Sequence, residues 1–207
     1  MSMESTMQSG QTLKPGFSDP VSQSQLVFRH LLDAMARPGT IETIDLDIEG
    51  PESLDLAATT IALALVDFET PLYLDPALAN PAAETYLNFH CGTRIVPEAK
   101  DAAYAILDGT PEDHGAFNTG TDEYPELGAT LIIQVETILT GGTLTLTGPG
   151  IKDSAQLGLP DVPAAFWESR AKLQRYFPRG IDLVFVSGAR MVALPRTTHV
   201  TLQSGKE

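Results

Sequence analysis

Two short apolar runs on either side of a turn dominate the C-terminal part of the chain. Residues 181–186 and 191–194 are rich in Val and Leu, and Ser187-Gly188 separates them. Such runs joined by a Gly-containing turn predict a buried β-hairpin. A polar group follows directly, made of Arg196, Thr197, Thr198 and His199. Because this is the densest set of hydrogen-bond donors in the chain, we expect a ligand or a partner to bind there.

An amphipathic helix is predicted near the N-terminus. Ser18-Asp19-Pro20 offers an N-cap followed by proline, and Arg37-Pro38-Gly39 ends the pattern. The apolar residues between them have helical spacing: Phe28, Leu31, Leu32 and Met35. We expect this stripe to pack against the core.

The middle of the chain alternates between helical and strand patterns. Alternation at 41–48 predicts a strand near a sheet edge, and the apolar run at 128–135 predicts a central strand. Helices are predicted at 53–67, 80–92 and 164–177, further strands at 70–74, 94–96, 102–107 and 143–147, and irregular chain at 151–163.

The last of these helices is expected to turn an aromatic face to the core. Its predicted buried residues are Phe166, Leu173 and Phe177, with Trp167 at the margin of the core. Its basic residues are expected to point outward: Arg170, Lys172 and Arg175.

Helices and strands interleave through the first half of the chain, and strands close the second. This order predicts an α/β fold, a three-layer α/β/α sandwich with a mixed sheet and helices on both faces. We expect one domain over residues 18–201, since 207 residues bury a single substantial core. Residues 1–17 have no hydrophobic period and are predicted to be a disordered N-terminal tail, with a C-terminal tail at 202–207.

The charge is large and unevenly distributed. A net charge of −14 argues against a nucleic-acid partner. Between Pro38 and Thr93 there are ten Asp or Glu and no Lys or Arg, whereas Arg170 to Arg196 holds six basic residues and one acid. This polarity fits a contact between subunits or an anion site, and a solvated acidic face with scattered surface arginines explains it equally well.

The sequence favours a cytoplasmic protein. Cys91 is the single cysteine, and the N-terminal residues lack the apolar segment of a secretion signal. Apolar runs stop well before the ~20 residues that cross a bilayer, so no membrane span is expected.

The common catalytic motifs are absent from the sequence. It contains no phosphate loop, dinucleotide fingerprint, His-Glu-x-x-His zinc motif or Gly-x-Ser-x-Gly elbow. The four histidines, at 30, 90, 114 and 199, are scattered, and His90 and Cys91 are neighbours whose side chains diverge on a helix. We expect no metal site, and catalytic residues stay unassigned.

Two short segments are candidates for binding an anion. Thr147, Gly148 and Gly150 follow a strand, where glycines let backbone N–H groups approach a phosphate or carboxylate. In 196–199 a guanidinium, two hydroxyls and an imidazole add donors. The alternatives are a plain tight turn for the glycines and an ordinary ion pair for Arg196.

Several segments together resemble the PhnH family, which provides a subunit of the bacterial carbon-phosphorus lyase system. The motifs extend from about residue 17 to residue 201 and are Phe28-Arg29-x-Leu31-Leu32-x-Ala34-Met35-x-x-Pro38-Gly39, Pro125-Glu126-x-Gly128-Ala129-Thr130-Leu131, Leu146-Thr147-Gly148-x-Gly150-Ile151, Phe177-Pro178-x-Gly180-Ile181-Asp182-Leu183 and Pro195-Arg196-Thr197-Thr198-His199-Val200. Each is short, but their order and spacing make the joint match specific.

The resemblance implies a role in phosphonate utilisation. Members of the family act with PhnG, PhnI and PhnL to form α-D-ribose 1-methylphosphonate 5-triphosphate from ATP and an alkylphosphonate. It also implies homodimers within a larger complex, and a fold similar to the large domain of transferases that use pyridoxal phosphate (PLP). That cofactor needs a lysine for its Schiff base and a carboxylate for the pyridinium nitrogen. Lys152 is the one candidate by position, and nothing else in the sequence completes such a site, so we expect no PLP.

Two hypotheses follow for the function. In the first, the chain is a dimeric and largely non-catalytic assembly subunit of the transferase complex. In the second, it binds a phosphorylated small molecule through Thr147, Gly148, Gly150 and residues 196–199 and contributes directly to the reaction. The absent catalytic motifs favour the first.

Overall fold

A computed structural model describes residues 13–203 of the chain. Its helices are α1 (Pro20–Ala36), α2 (Leu56–Leu65), α3 (Pro81–Cys91) and α4 (Ala164–Leu173). Its strands are β1 (Ile41–Thr43), β2 (Leu72–Leu74), β3 (Tyr104–Asp108), β4 (Thr130–Gln134), β5 (Leu139–Thr147), β6 (Ala155–Gly158), β7 (Asp182–Ser187), β8 (Arg190–Leu194) and β9 (His199–Leu202). Single 3₁₀ turns lie at Ala99–Asp101, His114–Ala116, Pro125–Leu127 and Gln174–Tyr176.

Six strands form a mixed sheet in the order β1-β8-β7-β4-β3-β2. The strands β2, β3, β4 and β7 are parallel, while β8 runs antiparallel to β7 and β1 antiparallel to β8. The predicted hairpin is confirmed as β7 and β8, and the predicted edge strand is β1. The predicted central strand is β4, whose Ile132 enters one core while Leu131 and Ile133 enter the other.

The sheet separates two hydrophobic cores. Helices α1, α2 and α3 cover one face, and their buried residues pack with Ile106, Ile132 and Val184 of the sheet. The other face is covered by α4 and by a small antiparallel sheet in the order β6-β5-β9. The mixed sheet with helices on both faces is therefore confirmed, but the second outer layer is part helix and part sheet. Similarity to PLP-dependent transferases stays a prediction.

The helix ends follow the capping residues in the sequence. The side chain of Asp19 caps α1 by accepting a hydrogen bond from the Ser22 N–H at 3.2 Å. Asn80 caps α3 by accepting from the N–H groups of Ala82 and Ala83, each at 3.0 Å. Gly92 ends α3 in the left-handed conformation with φ of 65°, which glycine adopts without strain. The predicted limits of these two helices are confirmed.

The apolar stripe predicted for α1 is partly wrong. Its buried residues are Val27, Leu31 and Ala34, which pack among residues of α2 and β8. Phe28 and Leu32 face solvent instead, with 49% and 55% of their surface exposed.

Two strands were missed in the sequence, and two were overextended, since the strand predicted at 41–48 is limited to Ile41–Thr43. Both β6 and β9 pair antiparallel with β5. Each has four residues with polar side chains among them, so the backbone pairing defines them better than their hydrophobic pattern does. The strand predicted at 94–96 is reduced to one bridge between Ile95 and Leu72.

The chain before α1 lies against α3. The Tyr86 hydroxyl donates to the Pro15 carbonyl at 3.2 Å, and the Lys14 ammonium donates to the Gly50 carbonyl at 3.0 Å. The rest of the predicted N-terminal tail, residues 1–12, lies outside the described residues, as do residues 204–207. Within 13–203 no helix has the length and apolar character needed to cross a membrane.

Candidate functional site

The parallel strands end at an acidic crevice. Strands β3 and β4 finish at Asp108 and Gln134, on the edge where open α/β sheets usually bind their ligands. The crevice has a volume of about 390 Å³. Four carboxylates line it, from Asp55, Asp108, Glu136 and Asp161, and the other lining residues are Gly109, Thr110, Gln134 and Val135. The residues that line the crevice include no Lys, Arg or His.

Asp55 is the carboxylate of the crevice that is tied most closely to the fold. Its backbone N–H donates to the Gln134 side chain at 2.6 Å, and its carboxylate accepts from the Gly188 N–H at 3.0 Å. Burial raises the pKa of Asp55, and the negative charge of Asp108 raises it further. The four carboxylates give the crevice a negative potential, which is unfavourable for phosphates and phosphonates. Across residues 13–203, no group of three or more His, Cys, Asp or Glu is placed to hold a metal ion.

The segments predicted to bind an anion do meet in the structure. Thr147 ends β5 and pairs with His199 at the start of β9. Gly148 follows and packs against the chain at Thr197 and Thr198. Thr147 and His199 are exposed, whereas Thr198 is fully buried and its hydroxyl has no hydrogen-bond partner among the described residues. The binding role of these residues stays a prediction.

Packing against the protein itself explains both glycines of the turn. A Cβ atom on Gly148 would lie 2.8 Å from the Thr197 carbonyl oxygen, and φ is +133°. Gly150 has φ of +81°, and a Cβ atom there would collide with the Ala36 carbonyl oxygen at the end of α1. Close backbone approach within the protein therefore requires glycine at both positions.

The guanidinium of Arg196 binds other groups of the same chain. Its Nη2 lies 2.6 Å from the Asp182 carboxylate, and its Nε is 3.2 Å from the same oxygen. Its Nη1 donates to the Pro125 carbonyl, and the backbone N–H of Arg196 donates to Asp182 at 2.7 Å. Gly128 and Gly180 lie against this side chain and leave room for it. The ion pair left open as an alternative is present.

Arg170 is the residue that sequence reasoning misplaced most. It was expected to point outward, but it is 97% buried, with 3% of its surface exposed. Its Nη2 donates to the carbonyl oxygens of Leu194 at 3.2 Å, Pro195 at 2.7 Å and Thr198 at 3.5 Å. One turn later, Gln174 donates to the Thr198 carbonyl at 2.6 Å. Helix α4 therefore holds the connection between β8 and β9.

The helical spacing of α4 could have predicted that Arg170 is buried. Phe166, Trp167 and Arg170 share one face of α4 at spacings of three and four, and all three are buried. Trp167 was expected at the margin of the core and is 4% exposed, whereas Phe177 was expected to be buried and is 63% exposed. Phe177 lies beyond the end of α4, so the helical period no longer places its side chain.

The lysines do not fit a PLP site at the crevice. Lys14 donates to the Gly50 carbonyl, and Lys100, Lys152 and Lys172 are exposed. None of these four lines the crevice at the ends of β3 and β4. Lys206 lies outside the described residues.

The acidic crevice and the Arg196–Asp182 ion pair thus lie at opposite ends of the parallel strands. The acidic crevice is at the carboxyl ends of β3 and β4, while Arg196 meets Asp182 at the amino end of β7. This defines an α/β protein whose acidic crevice is unsuited to anions and whose Arg170 and Arg196 side chains bind groups of the same chain.

Comparison with known proteins identifies the family. The family model described as "Bacterial phosphonate metabolism protein (PhnH)" matches residues 15–201, and the chain belongs to this family. The Alpha-D-ribose 1-methylphosphonate 5-triphosphate synthase subunit PhnH of Rhizobium meliloti (strain 1021) is 38% identical over 189 residues, which cover 89% of this chain and 93% of that protein. The Putative C-P lyase subunit protein HtxG of Stutzerimonas stutzeri is 31% identical over 182 residues, 87% of each chain.

Proposed function

We propose that this chain is a subunit of a ribose 1-methylphosphonate 5-triphosphate synthase. In this role it acts with PhnG, PhnI and PhnL, which form α-D-ribose 1-methylphosphonate 5-triphosphate from ATP and an alkylphosphonate, and it serves mainly as a dimeric assembly subunit. Membership of the PhnH family and the name of the Rhizobium meliloti relative support this proposal.

The acidic crevice is the observation that favours an assembly role over a catalytic role. ATP and a phosphonate bring several negative charges, and four carboxylates line the crevice where this type of sheet usually binds a ligand. Like charges at close range cost several kcal/mol at a binding surface. An anionic substrate therefore finds its binding groups on other subunits.

The exposed stripe on α1 supports association into a homodimer. Val21, Phe28 and Leu32 follow one another at spacings of seven and four residues and are 69%, 49% and 55% exposed. A twofold interface is built from one patch used twice, and we place the proposed contact on this helix face.

A second candidate function rests on the meeting of β5 and β9. The exposed side chains of Thr147 and His199 stand side by side in register, next to the glycine turn. This arrangement supports a phosphate- or nucleotide-binding subunit that contributes directly to the transferase reaction.

We propose that the chain needs no PLP and works in the cytoplasm. The positions of Lys14, Lys100, Lys152 and Lys172 away from the crevice support the first point. Cys91, a single buried thiol without a disulfide, supports the second.

One double variant separates the two candidate functions. The chain carrying Thr147→Ala and His199→Ala is co-expressed with the other synthase subunits, and both complex recovery and product formation are measured. The assembly role predicts that both stay at the level of the unaltered chain. A complex that assembles normally but has lost product formation would favour the ligand-binding role.

A further inference from the structure

Three arginines converge at the amino edge of the sheet, where α4 meets β7. Arg170, Arg179 and Arg196 line a small cavity of about 10 Å³, closed on its apolar side by Leu173, Phe177 and Ile181. We call this cavity the arginine pocket. Its volume corresponds to about one water-sized group.

The positive charge in the arginine pocket is only partly neutralised. Asp182 pairs with Arg196, and Asp122, whose side chain is 83% exposed, lies 3.3 Å from the Nε of Arg179. Arg170 has no carboxylate within 4.0 Å among residues 13–203, and its Nε has no hydrogen-bond partner there. Three guanidinium groups with two paired carboxylates leave the arginine pocket with a net positive charge, so a further anionic group would be favourable at its opening.

The surface around the arginine pocket is aromatic and exposed. Phe177 and Tyr176 are 63% and 57% exposed, and the Arg179 guanidinium lies over the Tyr176 ring at 5.1 Å. Tyr124 and Leu127, on either side of the Pro125 that binds Arg196, are 50% and 57% exposed. Tyrosine, phenylalanine and arginine are the residues enriched in protein–protein interfaces.

We propose that the opening of the arginine pocket binds one carboxylate side chain of a partner protein in the synthase complex, with one carboxylate oxygen in the water-sized space. The shape decides in favour of a carboxylate, because a planar carboxylate can meet a guanidinium edge to edge at a narrow opening, whereas the four oxygens of phosphate need more room. The exposed aromatic rings of Tyr176 and Phe177 favour a protein partner, because a small free ion would not bury them. This inference rests on the proposed function and names the chemistry of one docking point.

Arg179 is the residue on which to test this. It lines the arginine pocket, and its ionic contact is with the exposed Asp122, so its replacement leaves the bonds of Arg170 and Arg196 in place. Arg175, exposed in the preceding 3₁₀ turn and outside the residues that line the pocket, is the matched control. Full-length Arg179→Lys and Arg175→Lys chains are co-expressed with the other subunits, and the purified complexes are treated with a carbodiimide that joins amines to carboxylates.

The inference predicts a cross-link from position 179 to an Asp or Glu of another subunit, identified by mass spectrometry, and none from position 175. It also predicts that Arg179→Gln weakens the affinity for that subunit by about tenfold, while Arg175→Gln leaves it unchanged. Cross-links from position 179 only to carboxylates of its own chain, with unchanged affinity of Arg179→Gln, would overturn the inference and leave the proposed function standing.

Two further outcomes have separate meanings. Calorimetric binding of inorganic phosphate or methylphosphonate to the isolated chain, lost in Arg179→Gln, would overturn the inference in favour of a free-anion site. Failure of the unaltered chain to join the other subunits would overturn the proposed function and the docking point together.

Discussion

The guanidinium of Arg170, inside α4, donates a hydrogen bond to the carbonyl oxygen of Pro195 at 2.7 Å. The same nitrogen reaches the carbonyls of Leu194 and Thr198. The buried Arg170 side chain thereby holds the segment that connects β8 to β9. Burial lowers the pKa of Arg170 to about 10, which leaves the group charged at neutral pH.

Arg170→Met is expected to destabilise the fold. The methionine keeps most of the apolar volume but leaves buried carbonyl groups without a donor. The free energy of unfolding should fall by about 1 to 3 kcal/mol. Urea unfolding measures the change as a lower midpoint with an unchanged slope. Arg175→Met, on the exposed turn after α4, should stay within about 0.5 kcal/mol of the parent. Equal midpoints for the two variants would mean that the Arg170 bonds contribute nothing net.

Acid is expected to destabilise the protein through His114. This residue is 1% exposed, bonds Ser169 at 3.0 Å and packs on Phe166. Burial, aided by the charge of Arg170, lowers its pKa to about 4 from 6.5, although Asp113 acts in the opposite direction. Between these two values the unfolded chain binds a proton that the folded chain does not. The free energy of unfolding therefore rises with pH over this window and levels off above it.

The size of this effect is measurable by urea unfolding from pH 4 to pH 7.5. At about 1.4 kcal/mol per pH unit, acid removes about 3 kcal/mol through this one residue. His114→Phe keeps an aromatic ring against Phe166 and should flatten the dependence, while His199→Gln on the exposed β9 should not. If the free energy of unfolding of His114→Phe depends on pH as steeply as that of the parent, the acid sensitivity comes from other groups.

Gly150→Ala is expected to disrupt the contact between the glycine turn and α1. An added Cβ atom collides with the Ala36 carbonyl, and φ is already +81°. Gly188→Ala is the matched control, because φ is +59° but no atom lies within 4 Å of the added Cβ. Backbone strain alone costs about 1 kcal/mol, so the control should lose about that much and Gly150→Ala distinctly more. Thermal melts of both variants compare them, and similar losses would remove the contact with α1 from the explanation.

Phe28→Glu combined with Leu32→Glu is expected to separate the proposed homodimer. Both side chains are half exposed on α1, so each folded copy should lose little stability. Two charges on the proposed twofold interface then meet their own copies and repel. Light scattering should report half the parental mass, with an unchanged circular dichroism spectrum. A variant that keeps the parental mass would place the dimer contact elsewhere.

Strong patterns predicted much of the fold. The run at 128–135 is apolar on both faces and became the buried strand β4. Asp19, Asn80 and Gly92 set the limits of their helices because capping groups act locally. Strand β9 could not be predicted this way, because its His199 and Thr201 are exposed and its existence depends on the distant β5.

Less of the candidate site than of the fold could be predicted from the sequence. Gly148 packs against Thr197 and Thr198 because β5 and β9 pair in the small sheet, a pairing that the sequence pattern did not predict. The carboxylates at Asp55, Asp108 and Asp161 are far apart in the chain, and only the ends of β3 and β4 gather them into one crevice. The partners of Arg170 are backbone carbonyls, which carry no residue-specific signal.

The most direct test of the assembly role is native mass spectrometry of the synthase subunits co-expressed with this chain and purified through a tag on PhnI. The account predicts an assembly that contains the chain and a loss of product formation when the chain is omitted. A complete and fully active assembly of the other subunits, with this chain left free in solution, would contradict it.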